Sequence, residues 1–290
     1  MSLPVSESSS PEEAQVWVEA SPDIWPSTVL MCTSGADARR CSKNRATMRC
    51  RMLPGRYTSR PSTSKDYAAV EVAVDEIWEA HGPLTGVINN AAANFIAQTK
   101  DLTPNGFDTV SSTVMKGSFH TTHAVGKRWI AEDLSGSVLS TLTTWVWTGS
   151  AYVVPSAMGK SAVLAMTMSL AVEWAKYGIR LNAIAPGPIP TDYAWEMLNP
   201  TESSSAGATQ SDAVPAGRPG TIEELANLTI FLMSDGCDYL TGQTIAMDGG
   251  QMLAGAGTFA GLTSMTDGDW AEARVKSRAA TAASKAQRSV

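Results

Sequence analysis

From Asp66 to about residue 250, short buried-type strands alternate with helical patterns, and that alternation leaves few folds open. Asp66 can cap a helix whose inner side carries Val70, Val74, Ile77 and Trp78. Gly82-Pro83 ends that helix, because proline cannot continue it. Residues 84–90 read as a short buried strand, followed by a helix near 104–132 and a second buried strand over 137–142. A strong helix over 157–177 closes at Gly178, a residue suited to the left-handed turn beyond a helix. Residues 180–185 form a strand, 221–233 a helix and 243–247 the last strand. No tight hairpin separates these strands, so the pattern predicts a parallel sheet covered on both faces, a doubly wound α/β fold.

The first 65 residues do not share this order. Residues 1–37 hold six acids and no Lys or Arg, whereas residues 38–65 hold nine bases and no acid. Residues 38–65 show no sustained period of 2 or 3.6, and residues 1–65 are expected to be disordered or out of frame with the rest. One codon choice for Pro61-Ser62-Thr63-Ser64, shifted in frame, spells Val-Asp-Ile, a hydrophobic strand end bearing an acid. Residues 251–290, including Gly255, Gly257 and Gly261, read as a flexible tail, because those glycines neither follow a strand nor have dinucleotide-loop spacing.

Charge and cysteine usage narrow the class. A net charge of −6 argues against nucleic acid or an acidic membrane as the main partner. No uncharged apolar run reaches the roughly 18 residues of a membrane span. The N-terminus lacks the basic and apolar regions of a secretory signal, so an intracellular protein is expected, cytoplasmic or mitochondrial. Cys32, Cys41, Cys50 and Cys237 form no CxxC pair, so neither a zinc site nor a redox motif is supported. His120 and His123 are spaced i, i+3 without a third ligand nearby and read as solvated helix residues.

In doubly wound sheets ligands bind beyond the carboxyl ends of strands, and three segments occupy such positions. Asn89-Asn90-Ala91-Ala92-Ala93-Asn94-Phe95 combines small residues, which let a ligand approach the backbone, with amides that donate and accept. Thr143-Thr144-Trp145-Val146-Trp147 offers hydroxyl and indole donors. The segment over 185–191, with Pro186, Gly187, Pro188, Ile189 and Pro190, reads as a fixed loop. Lys160 is the one charged residue on the first two turns of the apolar helix, and Ser156 lies four residues before it on the same face. A snorkelling surface lysine is the plain explanation; contact with a ribose or phosphate is the favoured one. Val163, Met166, Leu170 and Trp174 form one apolar stripe on that helix, and Leu164, Ala171 and Ala175 a second. On pattern alone, monomer core and oligomer interface explain the two faces equally well.

Taken together, these segments resemble the short-chain dehydrogenase/reductase family and, within it, the 2,4-dienoyl-CoA reductases. The matching features run in order from the 89–95 segment through Leu102-x-Pro104-Asn105-Gly106, Thr148-Gly149-Ser150 and Val153-Val154-Pro155-Ser156-Ala157 before Lys160. They continue through the run over 169–178, Pro186-Gly187-Pro188-Ile189, Gly217-Arg218 with Glu223 to Asn227, and Asp248-Gly249-Gly250. The resemblance covers about 66–250 and implies a Rossmann-like sheet whose N-terminal βα unit is missing or degenerate.

For function, the resemblance implies reduction of a conjugated fatty acyl-CoA by NADPH, with NADH as the alternative, in fatty acid β-oxidation by a homotetramer. Lys160 would hold the nicotinamide ribose, and Asn89, Ala91, Pro186, Gly187, Pro188 and Ile189 would line the cofactor. Asn94, Phe95 and Ser156 would face the substrate, with Asn94 hydrogen-bonding the thioester carbonyl. The chain departs from the pattern at four places. Ser156 stands where the wider family has tyrosine, and Trp145 where dienoyl-CoA reductases supply a tyrosine from the preceding loop; an indole cannot relay a proton at neutral pH. Lys116 replaces a helix asparagine. Residues 1–65 contain only Gly35 and Gly55, too few for a Gly-rich turn that cradles a pyrophosphate. Two further readings therefore stand beside the first: a reductase-like protein that binds no dinucleotide, and a reductase of another enone or carbonyl compound.

Overall fold

The computed structural model describes residues 15–16, 29–33, 66–91, 96–190, 214–256 and 260–288. Its centre is a six-stranded sheet in the order β1 (Gln15–Val16), β2 (Val29–Thr33), β3 (Leu84–Asn89), β4 (Gly136–Thr141), β5 (Ile179–Pro186) and β6 (Thr244–Met247). Strands β3 to β6 are parallel, with Val87 beside Val138, Val138 beside Leu181 and Ile184 beside Ile245. The expected parallel sheet is therefore present, but it is not the whole sheet. β2 runs antiparallel to β3, and β1 antiparallel to β2. An antiparallel pair is not a βαβ crossover, so β2, although α1 separates it from β3 along the chain, does not add a parallel strand to the sheet.

Each helix forms for a local reason. Asp66 caps α1 (Tyr67–His81) by accepting from the amides of Ala68 and Ala69, and Gly82 ends it at φ 80°. Val70, Val74, Ile77 and Trp78 are all buried, as their spacing predicts. The helix expected near 104–132 is α2 (Pro104–Ser111), a π-helical turn (Ser112–Lys116) and α3 (Gly117–Ala131) in one run. Around that turn Ser111, Thr113, Ser118 and Thr121 donate their hydroxyls to carbonyls four residues back, which competes with the regular ladder. A short helix, α4 (Trp145–Thr148), replaces the expected loop, and α5 (Val154–Glu173) begins three residues earlier than its sequence pattern. Gly178 takes the left-handed conformation at φ 72°. Thr221 and Glu224 cap α6 (Ile222–Met233) reciprocally.

Both faces of the sheet are covered. On one, Val87, Val138 and Leu181 pack with α1, α3 and α5 around Trp129 and Trp174. On the other, Ile88, Leu139 and Ile184 meet Leu232 of α6. Gly126 is small because Trp174 lies against it: a β-carbon there would stand 2.4 Å from the indole. Arg180 is buried at the start of β5, where its guanidinium donates to the carbonyls of Leu232, Ser234 and Leu240 and so collects the C-terminal end of α6.

Residues 251–290, expected as a flexible tail, contain α7 (Gln251–Ala256), a 3-10 turn (Ala260–Ser264) and α8 (Asp267–Arg288). Asp248 starts α7 by accepting from the amides of Gly250 and Met252. His120 and His123 are not simply solvated. Tyr67 of α1 lies 2.8 Å through its hydroxyl from Nδ1 of His123 and packs edge-on against the His120 ring. Among the described residues no His, Cys, Asp and Glu cluster suits a metal ion, Cys237 is buried and free, and no helix is long and apolar enough to cross a membrane.

Candidate active site

Because β3 to β6 are parallel, their carboxyl ends lie on one edge of the sheet. That edge gathers Asn89 and Ala91, Thr141, Pro186 and Asp248. α5 starts there too and points Lys160 inward. The Lys160 ammonium donates to the carbonyl of Ala91 at 3.1 Å and to that of Thr141 at 2.5 Å, so it binds the ends of β3 and β4 together. The residue is 7% exposed, which rules out the surface-lysine explanation. Burial alone pulls its pKa down to about 8; no described charged side chain contributes. Two of its three N–H positions are occupied, and one is left for a further acceptor.

Ser156 lies one helical turn before Lys160 and is also buried. Trp145 opens α4 and is half-buried. Between them, Tyr152 holds a left-handed backbone at φ 66°, which is unusual for a bulky residue, and its carbonyl accepts from the amide of Ala97 at 3.0 Å. That bond ties the loop before α5 to the stretch following the 89–95 segment. Asn94 and Phe95 lie outside the described residues.

Asn89 is buried, but its amide nitrogen is already engaged. It donates to Thr122 Oγ1 at 2.8 Å and Ser140 Oγ at 3.4 Å, joining β3 to α3 and β4, while its Oδ1 has no partner. The loop over 186–189 is held from two sides. Gly187 N donates to Met247 O, and Gly220 N donates to Pro188 O, both at 3.0 Å. Lys116, at the end of the π turn, is exposed and lines an apolar groove of about 320 Å³ with Met115, Phe119, Ala162, Val163 and Met166. None of the groove's residues belongs to the Lys160 cluster.

The structure thus gathers Lys160, Ser156, Ala91, Asn89 and the 186–189 loop at one edge of the sheet. Sequence reading missed what holds them: the carbonyl of Thr141, the hydroxyls of Thr122 and Ser140, and Tyr152. Backbone carbonyls carry no residue-type signal, and a serine or threonine in a strand or helix looks like any other. Arg180 was legible in principle, as a charge at the head of an otherwise apolar strand.

Comparison with known proteins places the chain in a family. A family model described as Enoyl-(Acyl carrier protein) reductase matches residues 42–252, starting within the segment that composition sets apart. The chain is 46% identical over 189 residues to a probable 2,4-dienoyl-CoA reductase of Bacillus subtilis, a match covering 65% of this chain and 73% of that protein. It is 45% identical over 188 residues to an uncharacterised oxidoreductase of Caenorhabditis elegans, covering 64% of this chain and 60% of the relative. Among solved structures it is similar to a gluconate 5-dehydrogenase from Burkholderia cenocepacia in complex with NADP and tartrate. That likeness has a TM-score of 0.61 and 28% identity over 66% of this chain and 73% of the other. The chain belongs to the short-chain dehydrogenase/reductase family, a family of oxidoreductases.

A nicotinamide dinucleotide is the group this family implies, and the described residues fit its nicotinamide half. A buried ammonium with a free donor position suits a ribose hydroxyl, and Asn89 Oδ1 is a buried acceptor awaiting a donor.

Proposed function

We propose that this chain reduces a conjugated fatty acyl-CoA thioester with NADPH, as a 2,4-dienoyl-CoA reductase of fatty acid β-oxidation. The observation that carries the reading is Lys160, buried and pinned between β3 and β4, with a serine rather than a tyrosine one turn before it. The similarity to the Bacillus subtilis relative supports the substrate class, and the NADP named for the Burkholderia cenocepacia structure supports the cofactor class. The dinucleotide, when bound, supplies a hydride.

The protein's own residues do the rest. Lys160 offers its remaining N–H to the ribose, and the 186–189 loop, anchored on Met247 and Gly220, walls the nicotinamide. Ser156 and Asn94 hydrogen-bond the thioester carbonyl, where negative charge develops as the conjugated system takes up the hydride. Trp145 can donate a hydrogen bond near that charge but delivers no proton. The exposed Met115, Phe119 and Met158 support a homo-oligomer, a tetramer by family resemblance, and a cytoplasmic or mitochondrial location completes the reading.

A second reading is favoured by one observation: residues 1–65 hold only two glycines, Gly35 and Gly55. Without a Gly-rich turn for the pyrophosphate, the chain would keep the sheet yet bind no dinucleotide. Titration of the purified chain with NADPH, followed by energy transfer from its nine tryptophans to the nicotinamide, separates the two. Saturable micromolar binding, then turnover of a dienoyl-CoA but not of simple ketones, supports the reductase. Turnover of ketones alone points to another carbonyl substrate. Absence of binding by a folded chain overturns the reductase reading.

A further inference from the structure

We propose that Lys160 is a covalent modification site: its Nζ attacks the thioester carbonyl of a bound acyl-CoA and becomes acylated. The proposal rests on the acyl-CoA reading above and goes beyond it, because reduction makes no bond to the lysine; it concerns the chain without its dinucleotide, whose ribose takes the same Nζ position during reduction.

The geometry points to it in two ways. Ser156 and Lys160 stand four residues apart on α5, and both are buried at the carboxyl edge of the sheet. Such a pair shares one helical face, so a carbonyl held by the Ser156 hydroxyl lies on the lysine's side of α5. Nζ is also placed by acceptors alone, the carbonyls of Ala91 and Thr141. Those two bonds need two N–H groups, which a neutral amine still has. Losing the third proton therefore costs no hydrogen bond and leaves a lone pair at the remaining tetrahedral position.

Burial without a counter-ion favours that neutral form, and the pKa near 8 agrees. At pH 7.5 a group with that pKa is roughly 25% neutral, against about 0.1% for an ordinary lysine.

The step balances without a redox partner. The amine lone pair forms the C–N bond, the tetrahedral adduct collapses and the C–S bond breaks. The CoA thiolate leaves, and the proton lost from nitrogen ends on its sulfur. The product is a neutral amide with a single N–H, which cannot serve both Ala91 O and Thr141 O. Acylation therefore removes the cation and disturbs the tie between β3 and β4.

The test is to incubate the full chain with butyryl-CoA, without reductant, and to map acylated peptides by mass spectrometry. A parallel sample receives the butyryl thioester of N-acetylcysteamine, which carries the same carbonyl without the nucleotide. The expected result is acylation of Lys160 that saturates with butyryl-CoA and releases one CoA thiol per acyl group. It should run at least about tenfold faster than at the exposed Lys116, Lys127 and Lys176. Lys160→Arg should lose this fast phase. If the small thioester labels Lys160 but butyryl-CoA does not, the proposal falls together with the acyl-CoA reading. If neither labels it faster than the exposed lysines, the amine is not a nucleophile; the proposal falls alone, and reduction is judged by the cofactor titration.

Discussion

Gly187 passes so close to Asp248 that a β-carbon on the glycine would stand 2.7 Å from the aspartate Cα. The contact brings the loop after β5 onto the end of β6, where Gly187 N also donates to Met247 O. Backbone lies on the other side of the contact, so a side chain here cannot be absorbed by a rotamer change. Gly187→Ala should destabilise the protein by about 1–3 kcal/mol, as overpacking typically does. Urea denaturation of the two proteins measures it; an unchanged midpoint would show that the loop can lift off β6.

Lys160 should make stability depend on pH. Its folded pKa of about 8 lies below the unfolded 10.5, so the unfolded chain binds the proton more tightly. Stability is then reduced at neutral pH and recovers as pH rises from about 8 toward 10.5. Relative to Lys160→Met, the native chain should gain about 2 kcal/mol between pH 7.5 and 9.5. Parallel denaturation curves for both proteins give the answer, and parallel pH profiles would mean that the amine is solvated.

At the start of α6 the signs reverse. The Arg218 guanidinium, helped by the Thr221 amide, holds the Glu224 carboxyl down to about 2. Its contribution is present above 4.5 and is lost as pH falls from 4.5 toward 2, a dependence that Glu224→Gln should remove. Thr221→Ala removes the cap on Glu224 N and should cost about 1 kcal/mol. Thermal melts at neutral pH would show the loss; no change would mean that water replaces the cap.

Trp145 stands where the resemblance places a proton-donating tyrosine. Trp145→Tyr should raise the rate of dienoyl-CoA reduction by up to about 100-fold, the lower end of what a positioned acid contributes. Stopped-flow oxidation of NADPH measures it. An unchanged rate would mean that position 145 does not reach the reacting carbon.

Much of the fold was legible because burial is periodic. Val70, Val74, Ile77 and Trp78 announced the inner face of α1, and every one is buried. The second apolar stripe of α5 was less informative: Ala171 is buried, Leu164 is partly so and Ala175 is exposed. An alanine fits either environment at little cost, so its type says little about its place. The helices beyond Asp248 were not read because glycines over 255–261 outweighed the caps: Asp248 begins α7, and Thr266 with Asp269 begins α8.

By itself the sequence determined the alternation of strands and helices, their ends at Asp66, Gly82 and Gly178, and the residue types available for chemistry. These depend on side-chain period and on backbone conformations that only certain residues favour, both local properties. Tertiary structure decided what those residues became. It turned Lys160 from a helix lysine into a buried amine held by Ala91 and Thr141, and it spent the Asn89 amide on Thr122 and Ser140. It also laid β2 antiparallel on β3. Each of these depends on groups 19 to 69 residues apart meeting at one sheet edge, and on backbone carbonyls that every residue carries alike.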